Sequence, residues 1–372
     1  SSRGAPHRAQ RPLSAAAVAG MTNSPASASS DNPWRRFGEM TKLPGWSTYQ
    51  TAPEGTLWRS SRAPGSGMAA DRENPRTAVL HDWLRRRGYD PAGLVALAGD
   101  AGARRYFRLP TGTGSRVVMD APGQAGECHA YLRVGRLLSA AGLHVPQVEV
   151  ADPELGVMVL EDLGDRDYLN ALQRGVDAGL MEDALAALVR WQAATRPGVL
   201  PAYDDARLRA ELELFPAWYV RRHLGVQPDA AWLAVWRSAR EALIEAALAQ
   251  PRVWVHRDYM VRNLLVADPN PGIIDFQDAL EGPVTYDLVS LLRDAFIGFP
   301  AQAEREWCAR YEAMAREAGV ALPDDLPRAL DWMGAQRHLK VLGVFARLWH
   351  RDGKPRYLRD APRFMGYLSR EL

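Results

Sequence analysis

The sequence predicts an α+β fold of two lobes, a small β-rich N-lobe followed by a larger helical C-lobe. Three observations lead there. Short β-like runs crowd the stretch from Leu94 to Glu161. Beyond residue 166 the apolar residues recur mostly at helical spacing. One segment, Val253 to Asp294, breaks that helical pattern with a loop and two short apolar runs that carry spaced His, Asp and Asn residues. The expected division is an N-terminal extension at 1–75, the N-lobe at 76–160, a hinge at 161–165 and the C-lobe at 166–372.

The extension is a different material from the rest. Its opening 30 residues are rich in Ser, Ala and Pro, and no acid occurs before Asp31. Such a composition cannot bury enough surface to offset chain entropy, so disorder is expected. A cloning remnant or a start site set too far upstream, with Met68 opening the functional chain, accounts for it more simply than a transit peptide. Trp34, Trp46 and Trp58 have no ready explanation there.

Lys and Arg number 46 against 44 Asp and Glu, and residues 1–75 hold nine of the former and five of the latter. The body is therefore nearly neutral, 37 against 39, which argues against a nucleic-acid footprint. The two cysteines, Cys128 and Cys308, have neither metal-site nor redox spacing. No apolar run approaches the roughly 18 residues of a spanning helix. A cytoplasmic protein without membrane or nucleic-acid partners, and a monomer, is expected.

The N-lobe opens on Ala78 to Arg87, an amphipathic helix with Val79, Leu80 and Leu84 on one face. Leu94 to Leu109 reads as a hairpin, with Gly99 and Gly102 in its turn and Arg104 and Arg105 leaving it. Ser115 to Asp120 is the next strand. Gly126 to Ala141 is a helix, with Tyr131, Val134, Leu137 and Leu138 at helical spacing and Glu127 as a dipole-favouring acid at its start. Val145 to Val150 and Gly156 to Glu161 complete the strands. In the C-lobe, Ala184 to Ala194 carries Leu185, Leu188, Val189 and Gln192 on one stripe. Leu208, Leu212, Phe215, Trp218 and Tyr219 share another helix, and Tyr286 to Phe296 and Trp332 to Trp349 repeat the pattern.

In the exceptional segment, Val253 to Val255 reads as a strand, so His256 to Arg262 is a loop. Asn263 to Ala267 and Ile273-Ile274 are two β-like runs joined by Asp268-Pro-Asn-Pro-Gly272, which is strong turn chemistry. A hairpin brings Asn263 and Asp275 to the same end, close enough to share one ion. That layout suits phosphoryl transfer, where positioning and charge neutralisation lower the barrier. Asp258 is then the base for an attacking hydroxyl, and Asn263 and Asp275 are the Mg²⁺ ligands.

With H-x-D-x-x-x-x-N at His256 to Asn263 and I-D-F ending at Phe276, the segment resembles the aminoglycoside phosphotransferase and choline kinase-like superfamily. That superfamily shares the protein-kinase fold but phosphorylates small molecules. HRDYMVRNL, IDFQDA, GPVTYDL and QRHLKVLGVFARL resemble, more narrowly, the bacterial anomeric kinases of N-acetylmuramate and N-acetylglucosamine used in cell-wall sugar recycling. The resemblance covers roughly residues 76–372. It implies ATP, or GTP, as phosphoryl donor, Mg²⁺ as the metal, and the anomeric hydroxyl of an N-acetylated amino sugar as acceptor.

The same resemblance places the Gly99–Gly102 turn over the nucleotide phosphates and the main chain of Glu161 to Leu163 against the adenine edge. Asp120 stands where the superfamily carries its phosphate-binding lysine, and Arg104 and Arg105 are the nearest substitutes. Glu211, Trp218, Asp278 and Arg337 are expected around the acceptor, with Asp278 open to either a pocket or a bracing role. His256 and Asp287 are expected to be structural. Two alternatives stay open: a kinase of another small hydroxyl compound, such as an aminoglycoside or choline, and a catalytically dead nucleotide-binding module.

Overall fold

The computed structural model describes residues 75–97, 104–175 and 177–371. The expectations for the N-terminal extension, and for Gly99 and Gly102, lie outside these residues. The N-lobe is a five-stranded antiparallel sheet in the order β1-β2-β3-β5-β4. Its strands are β1 (Val95–Ala96), β2 (Arg105–Thr111), β3 (Gly114–Asp120), β4 (Val148–Asp152) and β5 (Val157–Glu161). Val95 pairs with Arg108 and Ala96 with Phe107, as the expected hairpin requires.

Helices cover both faces of this sheet. On one face α1 (Pro75–Arg85) lays Leu80, Trp83 and Leu84 on Leu109, Val118, Val157 and Val159. On the other, α2 (Ala125–Ala140) packs Cys128, Tyr131, Val134 and Leu138 into a core shared with Met119, Met158 and Leu160. Alternate residues of a strand point to opposite faces, so Val118 and Met119 go to different cores. Each large apolar side chain so buried contributes on the order of 2 kcal/mol relative to exposure. Val79 departs from expectation: it is 41% exposed, because Trp83 completes the buried stripe with Leu80 and Leu84. The helix also starts earlier than expected, at Pro75, a residue suited to a first helical turn.

The C-lobe is helical: α3 (Tyr168–Leu172), α4 (Ala178–Ala193), α5 (Asp205–Leu212), α6 (Ala230–Leu248), α7 (Tyr286–Leu292), α8 (Ala301–Glu317), α9 (Leu326–His350) and α10 (Ala361–Glu371). The stripe from Leu208 to Tyr219 does not lie on one α-helix. After α5 a turn at Glu213 leads into a π-helix, Phe215–His223. Pro216 has no N–H to give the Leu212 carbonyl, so the α ladder stops there. At this break α9 comes so close that a Cβ on Gly343 would lie 2.5 Å from the Leu214 carbonyl carbon. Only glycine fits there.

α7 is likewise shorter than expected. It ends at Leu292 because the Asp294 carboxylate accepts the Phe296 amide at 2.6 Å, a local alternative to the helix ladder. Between α6 and α7 run four short strands, β6 (Arg252–Val255), β7 (Leu264–Leu265), β8 (Gly272–Ile273) and β9 (Leu280–Pro283). β6 pairs with β9 and β7 with β8, both antiparallel. No described helix is long and apolar enough to cross a membrane.

Candidate active site

The loop that follows β6 is held from beneath. The Asp287 carboxylate, fully buried at the start of α7, accepts the amides of His256 at 2.6 Å and Arg257 at 2.9 Å. From α9, Arg337 donates to the Arg257 carbonyl at 3.2 Å. These clamps hold Arg257 at φ +76, a left-handed conformation that costs a non-glycine residue about 1–3 kcal/mol. Asp294 secures the far end of the loop by accepting the Val261 amide at 2.9 Å.

His256 ties this loop to the hairpin. Its Nε2 faces the Ile274 carbonyl at 3.1 Å, and its Nδ1 accepts the Asp258 amide at 3.3 Å. The neutral tautomer protonated at Nε2 satisfies both contacts. The Asp258 carboxylate itself takes no hydrogen bond from a described residue, and the residue is half-buried. Arg257, Arg337 and Lys340 all lie within electrostatic reach of it.

The β7–β8 hairpin pairs Leu264 with Ile273, and the Ile274 amide donates to the Asn263 carbonyl at 3.0 Å. Asn263 and Asp275 therefore flank the same end. The Asn263 side-chain amide donates to the Asp258 carbonyl at 2.8 Å, leaving its oxygen as the group able to bind a cation. Asp275 has φ +61, and its Oδ1 accepts from Arg104 at 3.2 Å and Gln277 at 3.0 Å. Phe276 is buried against Tyr131 of α2, with ring centroids 4.6 Å apart, which anchors the Asp275 turn to the N-lobe.

The two arginines leaving the first hairpin part company. Arg105 sits opposite Asp120 in the β2–β3 register and donates to its carboxylate, Nε at 3.1 Å. Arg76 of α1 donates to the other oxygen at 2.8 Å. Arg104 turns instead to Asp275 and to Glu127, 3.7 Å away.

At the hinge the Glu161 amide is already engaged by the Gln147 carbonyl at 2.8 Å. Leu163 lies over the hairpin, where a Cβ on Gly272 would come within 2.8 Å of its Cδ1. Asp162 accepts from Arg108 at 2.6 and 3.1 Å and from Ser115 at 2.6 Å. Burial opposes its ionisation, yet these donors hold its carboxyl below the usual range.

Of the residues expected around the acceptor, Glu211 and Arg337 both reach Arg257. Glu211 accepts from Arg257 and from the Tyr203 hydroxyl, and it pairs with Lys340 at 3.3 Å. Burial pushes its carboxyl up, but Lys340 and Arg257 prevail and hold it low. Arg337 is only 4% exposed, and besides the Arg257 carbonyl it donates to the Tyr286 hydroxyl at 3.2 Å. Its Nη1 thus faces both the loop and α7. Trp218 is half-buried in the π-helix against the main core, and Asp278 is exposed near Arg104.

Residues 93–322 match the sequence profile of the phosphotransferase enzyme family. The chain belongs to that family. It is 52% identical over 282 residues to a Pseudomonas aeruginosa protein named N-acetylmuramate/N-acetylglucosamine kinase, spanning 75% of this chain and 83% of that one. A Pseudomonas putida protein of the same name is 47% identical over 296 residues, spanning 78% and 87%. Among solved structures, choline kinase LicA from Streptococcus pneumoniae superposes with a TM-score of 0.56 at 13% identity, covering 79% of this chain and 99% of that one. That last likeness speaks for the fold. The phosphotransferase is a small-molecule kinase with the expected two-lobed α+β architecture.

A phosphotransferase of this family works with ATP and a divalent metal. Among the described residues, no group of three His, Cys, Asp or Glu side chains is placed to hold a metal. One carboxylate and one amide oxygen at a hairpin end nevertheless fit such an ion, because in nucleotide sites the phosphates and water complete the shell.

Sequence reasoning missed four residues that brace the candidate site: Asp294, Lys340, Tyr203 and Tyr286. Arg337 and Lys340 stand three residues apart on α9, and both donate to the Tyr286 hydroxyl, at 3.2 and 3.0 Å. The i, i+3 spacing within QRHLK was the available signal. Asp294 has a measurable consequence. Burial outweighs its three backbone donors and pushes its carboxyl from 3.8 up to about 6. The folded state therefore binds a proton that the unfolded chain releases, so this contribution to stability falls as pH rises from 3.8 to about 6 and is flat above. Over that window the stability difference between wild type and Asp294→Asn is expected to change by about 3 kcal/mol. Urea midpoints across pH 4–7 check it, and a pH-independent difference would reject the protonation.

Proposed function

We propose that this enzyme transfers the γ-phosphoryl group of ATP to the anomeric hydroxyl of N-acetylmuramate or N-acetylglucosamine, forming the sugar 1-phosphate for cell-wall sugar recycling. The observation that carries the reading is the 52% identity, across most of both chains, to a kinase named for these two sugars. The site supports the chemistry. Asp258 accepts the proton of the sugar O1 as that oxygen bonds to the γ-phosphorus. The bond from phosphorus to the bridging oxygen breaks, and ADP departs with the electron pair. An anomeric hydroxyl is more acidic than an ordinary alcohol, so a single carboxylate is an adequate base. The Asn263 amide oxygen and the Asp275 carboxylate would hold Mg²⁺, which neutralises phosphate charge when bound. The Glu161 amide is engaged within the protein, so the Glu161 carbonyl and the main chain of Asp162 and Leu163 are left for the adenine edge.

With ATP, Mg²⁺ and N-acetylglucosamine or N-acetylmuramate, phosphorus NMR is expected to show a product whose phosphate couples to the anomeric proton. A methyl glycoside, blocked at C1, should not react. Phosphate at C6, or turnover confined to aminoglycosides or choline, would reject the anomeric assignment and leave the enzyme a kinase.

A further inference from the structure

A kinase of this architecture needs a cation on the nucleotide phosphates, held by a helix carboxylate and standing beside the metal-binding aspartate. The third strand cannot supply it. Its residue at that place is Asp120, fully buried and occupied by Arg76 and Arg105. Arg105 is consumed in this pairing, since the β2–β3 register sets it directly opposite Asp120.

Arg104 has the contrary disposition. One residue earlier, it projects to the other side, as neighbouring residues of an extended chain do. Its Nη2 meets Asp275 at 3.2 Å, and its Nε lies 3.7 Å from Glu127, in the first turn of α2. These two carboxylates come from distant parts of the chain and converge on one guanidinium that is 18% exposed. A guanidinium has five donors in a planar fork, so these two contacts leave others for phosphate oxygens.

We propose that Arg104 is the triphosphate-binding cation of this enzyme, moved from the third strand to the entrance of the second, and that Glu127 is the residue that positions it. The proposal rests on the phosphotransferase reading, and the test of Arg104 is a binding measurement that needs no sugar. Calorimetry with MgADP is expected to show affinity falling roughly 10- to 100-fold in Arg104→Met, the worth of a charge-assisted hydrogen bond. Arg104→Lys, which keeps the charge, should recover part of that loss. Arg105→Met should bind MgADP within about 2-fold of wild type yet melt lower, because it strips a partner from buried Asp120. Glu127→Gln should raise the KM for ATP more than it lowers kcat, and should have little effect in the Arg104→Met background.

Wild-type affinity for MgADP in folded Arg104→Met, or in Arg104→Gln if the Met variant does not fold, would overturn the assignment and leave the phosphotransferase reading intact. If the wild-type protein itself bound no MgADP, both would fall.

Discussion

Asp258→Asn is expected to lower turnover by roughly 10²–10⁴ while leaving the fold and MgADP affinity unchanged. The separation of effects follows from how the residue is held. Its main chain is fixed by His256 on one side and by the Asn263 amide on the other, and its carboxylate takes no hydrogen bond from a described residue. Exchanging an oxygen for NH₂ therefore removes the proton acceptor and little else. Asp275→Ala should show the reverse order, losing metal-dependent nucleotide affinity first. Steady-state turnover and MgADP calorimetry on both variants decide the matter. Near wild-type turnover in Asp258→Asn would remove this residue from its assigned role.

Arg293→Met is expected to destabilise the protein by about 3–5 kcal/mol. Arg293 is 7% exposed and joins Glu304, Asp331 and Glu371, each at 2.7 Å. Glu371 in turn meets His338 at 2.8 Å, so this cluster fastens α10 to α9 and α7. Gly334 makes the assembly possible, since a Cβ there would lie 2.3 Å from the Glu371 carboxylate. Removing the guanidinium leaves the buried Glu304 and Glu371 carboxylates close together, with only Arg370 at 3.3 Å beside the first and His338 beside the second, while Asp331 stays 41% exposed to solvent. Urea unfolding at neutral pH measures the loss. A change below about 1 kcal/mol would mean that the acids find other partners.

Much of the fold was legible because it depends on local signals. Turn residues at Asp268 to Gly272 announced the hairpin, and its geometry put Asn263 and Asp275 at one end. Strand β5 reads as an unbroken apolar run, Val157 to Leu160, because both faces of the sheet are covered there. For the same reason, periodicity did not reveal which helix each residue meets. Val79 was misplaced because an aliphatic pair looked like a stripe, when Trp83 was the residue completing it. Pro216 was present to be read as a break, but the apolar spacing across it kept the expected helix continuous.

Side-chain partners were the least legible part. Arg104 and Asp275 are 171 residues apart, and Arg337 and the Arg257 carbonyl 80 apart. Nothing in the local sequence tells a buried arginine that braces a loop from an exposed one that awaits a ligand. Glu211 illustrates the same difficulty. Its setting beside an aromatic stripe suited a sugar, yet Arg257, Lys340 and Tyr203 already occupy its oxygens.

The covering of the sheet by α1 bears on where this protein can be cut. The family match begins at residue 93 and ends at 322, and those limits look like natural ends for a fragment. They are not physical ends. A chain started at residue 93 would bare Val118, Val157 and Val159 as a sticky β surface and strip Asp120 of Arg76. A chain stopped at 322 would lack Arg337, the clamp that helps keep Arg257 in its strained turn. The unit that folds extends past both limits of the unit that the family shares.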